Sequence, residues 1–267
     1  AKKQGAKTDF RDALHLAQEL RTNHLQPVFH DTSHWMDLRT SVSGYLDLVE
    51  EIVRFKNRLK SVFRAEAIQT DENSFYKNQS RVNELKNKSA KFVAENLFNQ
   101  ITFLEKEKVK FTEQFEKNKK HYKPIRNLMT IPGISIIRAN IIAAIVCQPS
   151  RFENKHKFWG YCMLVRHIQI SNGKIYGNKR FFGRRELRNV FLGAAENVMR
   201  LDGELRDRYD ILRAKGADHK DAKVNLARQI ASIALCLLKN NDKYNENYAE
   251  YLKERKKLRK DFFEQSL

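Results

Sequence analysis

The first residues that could do chemistry are two aspartates near the start of the chain. Asp9 and Asp12 stand three positions apart in KTDFRDALHLAQEL, at the head of a helix predicted over residues 8–24 with Thr8 as its N-cap. Side chains at i and i+3 of a helix lie about 5–6 Å apart, so the pair could share Mg²⁺. Acids also stabilise the first turn of any helix through its dipole. The two residues by themselves favour this helix-starting role over a metal site.

A basic and aromatic stretch, residues 151–188, predicts nucleic-acid binding. It holds ten Lys/Arg against two acids, a net charge of 10 − 2 = +8, with aromatic residues interleaved. Basic side chains neutralise phosphates, and exposed aromatic rings stack on bases. We expect Trp159 and Phe191 in the core, and Tyr176 and Phe181 as candidate contacts. The candidate nucleic-acid-binding residues, two of them from a preceding turn, are Gly133, Arg138, Arg166, Lys174, Lys179, Arg180, Arg184, Arg185 and Arg188.

Ser171 lies in this stretch, immediately before an Asn-Gly pair in RHIQISNGKIYGNK. Asn-Gly between alternating apolar residues predicts a two-residue β-hairpin turn, and serine is a common turn residue. A serine nucleophile would need a base or a metal to activate its hydroxyl, and neither is adjacent in sequence. Taken alone, Ser171 is therefore a turn residue.

The overall composition favours a nucleic-acid partner and excludes several other classes. Among 267 residues, 51 Lys/Arg against 32 Asp/Glu give a net charge of +19, which attracts polyanions. There is no P-loop, GxGxxG or HExxH pattern, and the three cysteines are too scattered for a disulfide framework or a zinc ribbon. No apolar run has membrane-spanning length, and no secretory signal is present. We expect a cytoplasmic, nucleoid-associated protein that does not bind membranes.

Long helices are predicted to position these residues. Two heptad seams, over residues 38–63 and 90–115, place apolar residues at alternating steps of four and three, with Lys56 and Lys108 as the exceptions. The polar interval 69–80 predicts a loop between them. The two helices would most simply pair as an antiparallel coiled-coil hairpin. Pairing between two copies of the chain is the alternative, and it would make a homo-oligomer.

A second pair of helices is predicted in NLMTIPGISIIRANIIAAI, residues 127–145. Pro132 and Gly133 make a tight turn and Ala139 lets two helices approach, a pattern typical of a helix-hairpin-helix. Such a turn presents backbone N–H groups that suit a DNA phosphate. Packing of two helices without any DNA contact is the alternative.

Several of these stretches, in this order, resemble one family. It comprises the transposases of insertion sequences that carry a DEDD carboxylate set, relatives of the pilin-gene DNA invertases and of recombinases guided by a bridge RNA. KTDFRDALHLA resembles the end of the family's RNase H-like catalytic domain. MTIPGISIIRANIIAAI and RFENKHKFWGYCML, followed by ISNGK and FFGRRELRNVFLGAA, resemble its C-terminal domain. The heptad region resembles its coiled coil.

The resemblance implies a composite catalytic site and its cofactor. Asp9 and Asp12 correspond to Mg²⁺ ligands, and Ser171 matches the family's nucleophilic serine best, with Ser150 as the alternative. Asn172 separates Ser171 from its glycine, where family members usually join the two. The family's other two acids, an Asp and a Glu, lie upstream of the matched segment. We therefore expect that this chain does not catalyse alone.

These observations predict a mainly α protein with one short β-hairpin. Its expected parts are a remnant of an RNase H-like α/β domain (1–30), a coiled-coil region (31–125), a C-terminal transposase domain (126–248) and a basic helical tail (249–267). The expected function is DNA binding, with a guide RNA as an open further partner, and Mg²⁺-assisted, serine-dependent strand cleavage and exchange once all four acids are present. A non-catalytic helical nucleic-acid-binding protein is the alternative, and a coiled-coil scaffold is the third hypothesis.

Overall fold

The computed structural model describes residues 8–25, 35–70, 75–180 and 183–245, with the backbone alone for 166–171, 175–176 and 178–180. The chain divides into two units, Ala1–Ser33 and His34–Leu267. The described residues are mainly helical, which confirms the mainly α part of the predicted fold class. The basic tail predicted over 249–267 lies outside the described residues.

The described part of the first unit is one helix, α1, Asp9–Arg21. Thr8 is its N-cap, as predicted, because its hydroxyl accepts a hydrogen bond from the N–H of Arg11 at 3.4 Å. The helix ends three residues earlier than predicted, since Asn23 takes a left-handed backbone with φ 57°. Left-handed residues end helices, and asparagine tolerates that conformation better than most residues.

The second unit begins with two long helices, α2 (Trp35–Ala65) and α3 (Lys88–His121). The rings of Tyr45 and Phe115 lie 5.3 Å apart and those of Phe63 and Phe98 6.5 Å apart, so the helices run in opposite directions. The buried apolar residues are Leu38, Val42, Tyr45, Ile52, Leu59 and Phe63 on α2, and Ala94, Phe98, Ile101 and Phe115 on α3. All six on α2 belong to the predicted seam, whereas Phe98 was not predicted there.

The two lysines in the seams meet a single acid. Lys56 Nζ lies 2.7 Å from Glu105 Oε1, and Lys108 Nζ lies 3.4 Å from Glu105 Oε2. Burial acts to raise the pKa of Glu105, but the hydrogen bond from Lys56 and the charge of Lys108 outweigh it, so this pKa is lowered. The lysines therefore fit the seam because a shared carboxylate compensates their charge.

The segment between α2 and α3 folds over the end of the helices. It contains two short 3-10 helices, Phe75–Lys77 and Gln79–Glu84, where a polar loop was predicted. The Phe75 side chain is fully buried and closes a small core at this tip. The members of the tip core are Leu59, Phe63, Phe75, Val82, Leu85, Ala94, Phe98 and Ile101. A few apolar residues in a polar stretch are enough to close the open end of a helix pair.

Six further α-helices follow in the described part of the second unit. They are α4 (Lys123–Leu128), α5 (Ile136–Val146), α6 (Lys155–Tyr161), α7 (Arg185–Val198), α8 (Glu204–Ala214) and α9 (His219–Asn240), with a 3-10 helix, Pro149–Arg151, between α5 and α6. Helix α5 buries seven of its eleven residues. Helix α9 packs against α4, α6, α7 and α8. Leu38, Val42 and Tyr45 of α2 join the same core, so the base of the hairpin is part of this body.

The two strands of the described chain lie between α6 and α7. β1 (Arg166–Ser171) and β2 (Lys174–Arg180) pair antiparallel, with Ser171 opposite Lys174 next to the turn. This is the segment in which the Asn-Gly pair predicts a hairpin. The sheet therefore presents Ser171 at its turn end.

The two aromatic residues predicted in the core differ in their burial. Phe191 is fully buried. Trp159 is only partly buried, and its indole N–H donates to the carbonyl of Arg228 at 2.9 Å and to Ser232 Oγ at 3.0 Å. Trp159 thus ties α6 to α9 as well as filling space, as buried tryptophans commonly do.

Candidate nucleic-acid interface

The turn between α4 and α5 is pressed against α7 at Gly133. This residue has φ +81°, a conformation that favours glycine. A Cβ at this position would lie 2.5 Å from the carbonyl oxygen of Ala194 and 3.0 Å from Cγ2 of Val198. Both the backbone angle and the close approach therefore require glycine. Contact with α7 is a reason for Gly133 that the sequence did not reveal.

Arg138, predicted to bind nucleic acid, is already engaged with this turn. Its Nη1 donates to the carbonyl of Gly133 at 2.7 Å. Its Nη2 lies so close to α7 that a Cβ on Gly193 would be only 2.9 Å away. Burial lowers the pKa of Arg138, and the nearby charge of Glu196 partly opposes this. The guanidinium therefore braces the turn against α7.

The turn between β1 and β2 is open by comparison. Asn172 has φ 50° and Gly173 has φ 75°, the positive angles that a two-residue hairpin turn requires. A Cβ on Gly173 would meet no atom within 4 Å. Asn172, Gly173 and Lys174 are exposed, and the backbone of Ser171 comes directly before them. The side chain of Ser171 lies outside the described residues.

The start of α7 is fixed to the end of α6. A Cβ on Gly183 would lie 2.3 Å from the carbonyl oxygen of Tyr161, and the N–H of Arg184 donates to that same oxygen at 2.7 Å. Interaction with the Tyr161 side chain raises the pKa of Arg184, and burial partly opposes this. The Arg151 guanidinium lies over the Tyr161 ring, 4.7 Å from its centroid. Arg151 and Arg184 thus both interact with Tyr161.

The eight basic residues among the predicted contacts fall into three groups in the structure. Lys174, Arg184 and Arg185 are exposed, and we call them the hairpin–α7 cations. Arg188 is half-buried, and Arg138 is committed to the Gly133 turn. The side chains of the remaining predicted contacts, Arg166, Lys179 and Arg180, lie outside the described residues. So do Phe181 and the ring of Tyr176. The exposed cations are therefore the part of the prediction best placed to meet a phosphate.

The two aspartates lie in the first turn of α1, and both are exposed. Within residues 8–25, 35–70, 75–180 and 183–245, no three His, Cys, Asp or Glu side chains group together as a metal site. Mg²⁺ commonly takes only one or two carboxylates from a protein and fills its other positions with water and phosphate oxygens. Asp9 and Asp12 therefore fit part of a magnesium site and need further ligands to complete it.

A cleft of about 700 Å³ between α6, α8 and α9 is a feature that the sequence did not predict. Its charged lining residues are largely paired. Arg208 contacts Glu204 within α8, and Lys239 donates to the carbonyl of Phe152. Leu205 and Ile233 contribute apolar surface. No spacing in the sequence brings these three helices together, so only the fold could reveal the cleft.

No helix in the described part of the chain is long and apolar enough to span a membrane. Two family models match the chain. One, described as a transposase of the DEDD type of IS110, covers residues 1–66, and the other, described as the transposase IS116/IS110/IS902 family, covers residues 125–210. Both regions carry motifs singled out above, around Asp9 and around Gly133 and Ser171. Helix α2 lies within the first match, and the segment between the two matches contains α3 and the two 3-10 helices before it.

A curated relative is similar over part of its length. It is the insertion element IS110 uncharacterized 43.6 kDa protein of Streptomyces coelicolor, 27% identical over 118 residues. The aligned segment covers 44% of this chain and 29% of the relative. The match thus spans less than a third of that longer protein.

Proposed function

Because this chain belongs to the IS110-type transposases, we propose that its second unit binds DNA and presents the hydroxyl of Ser171 to the phosphate backbone. Proteins of this class carry out DNA transposition and recombination. The observation that carries the proposal is the turn at residues 171–174, of which residues 172–174 are exposed. Ser171 and Lys174 are paired directly across this turn, and a Cβ on Gly173 would meet no atom within 4 Å.

The hairpin–α7 cations support the DNA-binding part of this proposal. Lys174 is exposed beside the turn, and Arg184 and Arg185 are exposed at the start of α7. Lysine and arginine at such positions neutralise phosphates without reading sequence. The same charges would attract a guide RNA, which we propose as a second partner. A protein acting on chromosomal DNA would be found at the nucleoid.

Ser171 would act as the nucleophile in strand cleavage. Its Oγ would attack phosphorus and give up its proton to water, and a serine–phosphate ester would form. The bond from phosphorus to the leaving strand's sugar oxygen would break, and that oxygen would take up a proton from water to become a free hydroxyl. Strand exchange would then proceed by two ester transfers. The serine–phosphate ester would conserve the energy of the broken phosphodiester bond for the rejoining of the strands. Lys174, directly opposite Ser171 in the ladder, supports this role because its charge would stabilise the phosphate near the serine.

Asp9 and Asp12 would hold Mg²⁺ together with acids from outside the described residues. When bound, the ion would neutralise charge on the scissile phosphate. The first turn of α1 suits this role because the two carboxylates lie one helical turn apart and both are exposed. Association of copies through the α2–α3 hairpin is a further proposal. It is supported by exposed apolar side chains there, of which Val53, Phe92 and Phe103 are more than half exposed.

A non-catalytic DNA-binding protein is the second candidate. The observation that favours it is the position of Asp9 and Asp12 in the first turn of α1, where acids stabilise a helix through its dipole without any metal. It would bind DNA through the same hairpin–α7 cations, and the serine would be only a turn residue.

Strand cleavage separates the two candidates. In the full-length protein acting on a plasmid that carries the element's own ends, Ser171→Ala should abolish cleavage in Mg²⁺ and leave DNA binding intact. Ser150→Ala is the matched control and should cleave normally. Undiminished cleavage by Ser171→Ala would remove Ser171 from the mechanism. DNA binding with no cleavage by the unaltered full-length protein would favour the second candidate.

A further inference from the structure

The junction of α3 and α4 carries a dense positive charge that the sequence analysis did not use. The run KNKKHYKPIR, residues 117–126, contains five Lys/Arg and no acid. Lys117, Lys120 and Lys123 are exposed. Within the described part of the chain, no carboxylate lies within ion-pair distance of these lysines. These three lysines are therefore exposed to solvent without an ion-pair partner among the described residues.

Helix capping does not account for these lysines. Cations near a helix C-terminus usually bind its last carbonyls and offset its dipole. Here Arg126 does this, because its Nη1 donates to the carbonyls of Lys119 and Lys120 at 2.9 and 2.8 Å. Each further lysine adds repulsion between like charges. A role outside the helix therefore explains them better than capping.

The junction is rigid beneath its charged face. The Asn118 side chain donates to Asn140 Oδ1 at 3.1 Å inside the protein. The Tyr122 ring stacks on Trp35 at 5.3 Å, and Ile125 is fully buried. The apolar and amide side chains of the run therefore face the core, while the lysines remain outside. Such an arrangement fixes the backbone that carries the lysines before any partner binds.

We propose that Lys117, Lys120 and Lys123 form a second contact with the DNA backbone, separate from the hairpin–α7 cations. This rests on the proposed function, in which the chain binds DNA. Lys117 and Lys120 are three residues apart and share one side of α3, and Lys123 begins α4 just beyond. Point charges without an exposed aromatic or apolar neighbour suit a phosphate chain. A membrane surface would need apolar side chains to insert, and this run turns its own inward.

The salt dependence of DNA binding tests this surface. The triple variant Lys117→Gln, Lys120→Gln, Lys123→Gln is compared with the unaltered chain on a duplex of about 30 base pairs, between about 50 and 200 mM salt. Loss of three phosphate contacts should reduce the slope of log K against log salt by about 2.7. The charge-retaining variant with arginine at the same three positions should keep the full slope.

The other end of α3 supplies a matched control. Lys86→Gln, Lys88→Gln and Lys91→Gln remove the same charge near the tip, and we expect a slope within about 1 of the unaltered chain's. Thermal unfolding of each variant checks that it is folded. If the junction and control variants bind alike while the unaltered chain binds DNA, the junction proposal is wrong and the proposed function stands.

Two further outcomes overturn the proposal in different ways. If the unaltered chain binds no DNA at any salt concentration, the proposed function fails and the junction contact fails with it. If the triple variant loses affinity for an RNA hairpin of equal length but not for duplex DNA, the surface belongs to RNA and the DNA assignment is wrong.

Discussion

Gly133 and Gly173 occupy two turns that the sequence connects with nucleic acid, and both have a positive φ, +81° and +75°. Their surroundings are opposite. A Cβ on Gly133 would lie 2.5 Å from the carbonyl oxygen of Ala194, whereas a Cβ on Gly173 would meet no atom within 4 Å. The first turn is a joint between helices, and the second is a free surface.

This difference separates packing from recognition. Pro-Gly and Asn-Gly pairs report the backbone angle that a turn needs, and they carry no information about what faces the turn. In the first turn the neighbouring arginine, Arg138, is also used for packing, since it binds the Gly133 carbonyl. In the second, the neighbouring lysine, Lys174, is exposed. Four substitutions can break or sharpen the comparison.

The largest effect should come from Gly133→Ala. It adds left-handed backbone strain of about 1–2 kcal/mol to a steric conflict with α7 of about 1–3 kcal/mol. The free energy of unfolding should therefore fall by about 2–5 kcal/mol, measured by urea denaturation. Gly173→Ala is the matched control and should cost only the backbone term, about 1–2 kcal/mol. Equal costs at the two positions would show that the joint is not closely packed.

Arg138→Met tests whether this arginine braces the turn or binds DNA. The substitution keeps the stem and leaves the Gly133 carbonyl without its donor, so the free energy of unfolding should fall by about 1–3 kcal/mol. The salt slope of DNA binding should not change. A smaller slope with unchanged stability would instead make Arg138 a phosphate contact.

Lys174→Gln tests the open turn. A surface substitution of this kind should alter the free energy of unfolding by no more than about 0.5 kcal/mol. The loss of one phosphate contact should reduce the salt slope by about 1. Lys215→Gln, an exposed lysine after α8, removes the same charge and serves as the control. Matching slopes for the two variants would mean that Lys174 contributes only to the overall positive charge of the chain.

The smallest effect concerns the pH dependence of stability at Glu196, on α7. A hydrogen bond from Lys223 at 3.1 Å holds the pKa of Glu196 below its ordinary value, and the charge of Glu196 reaches Arg138. Because the folded pKa is depressed, this stabilisation is present above the unfolded pKa and is lost as pH falls through the folded one. Thermal unfolding of Glu196→Gln should therefore approach that of the unaltered chain at acid pH. A difference that grows as pH falls would contradict this sign.

The long helices were predictable because their physics is periodic. Burial of Leu38, Val42 and Tyr45 follows from spacing alone, since one face of a helix must meet a partner. Phe75 was not predictable in the same way. It is one of two adjacent aromatic residues in a polar interval, and only the antiparallel pairing brings it to the open end of the hairpin core.

The candidate site was only partly predictable for a related reason. Asp9 and Asp12 suit both a helix start and a metal, because each role needs negative charge in the same place. Arg138 could not be separated from a DNA contact, since its hydrogen bond to Gly133 exists only in the folded turn. The lysines around position 120 were visible in the sequence, but their importance depends on Arg126 having already taken the capping role.

The α2–α3 hairpin also sets a length scale. Helix α3 has 34 residues, which at about 1.5 Å per residue makes a rod of about 50 Å. The phenylalanine cluster at its far end closes the tip, so whatever meets the tip is held away from the body by the part of this rod that projects beyond the shared core. A spacer of fixed reach can measure distance between two points on a partner, something neither end could do by itself.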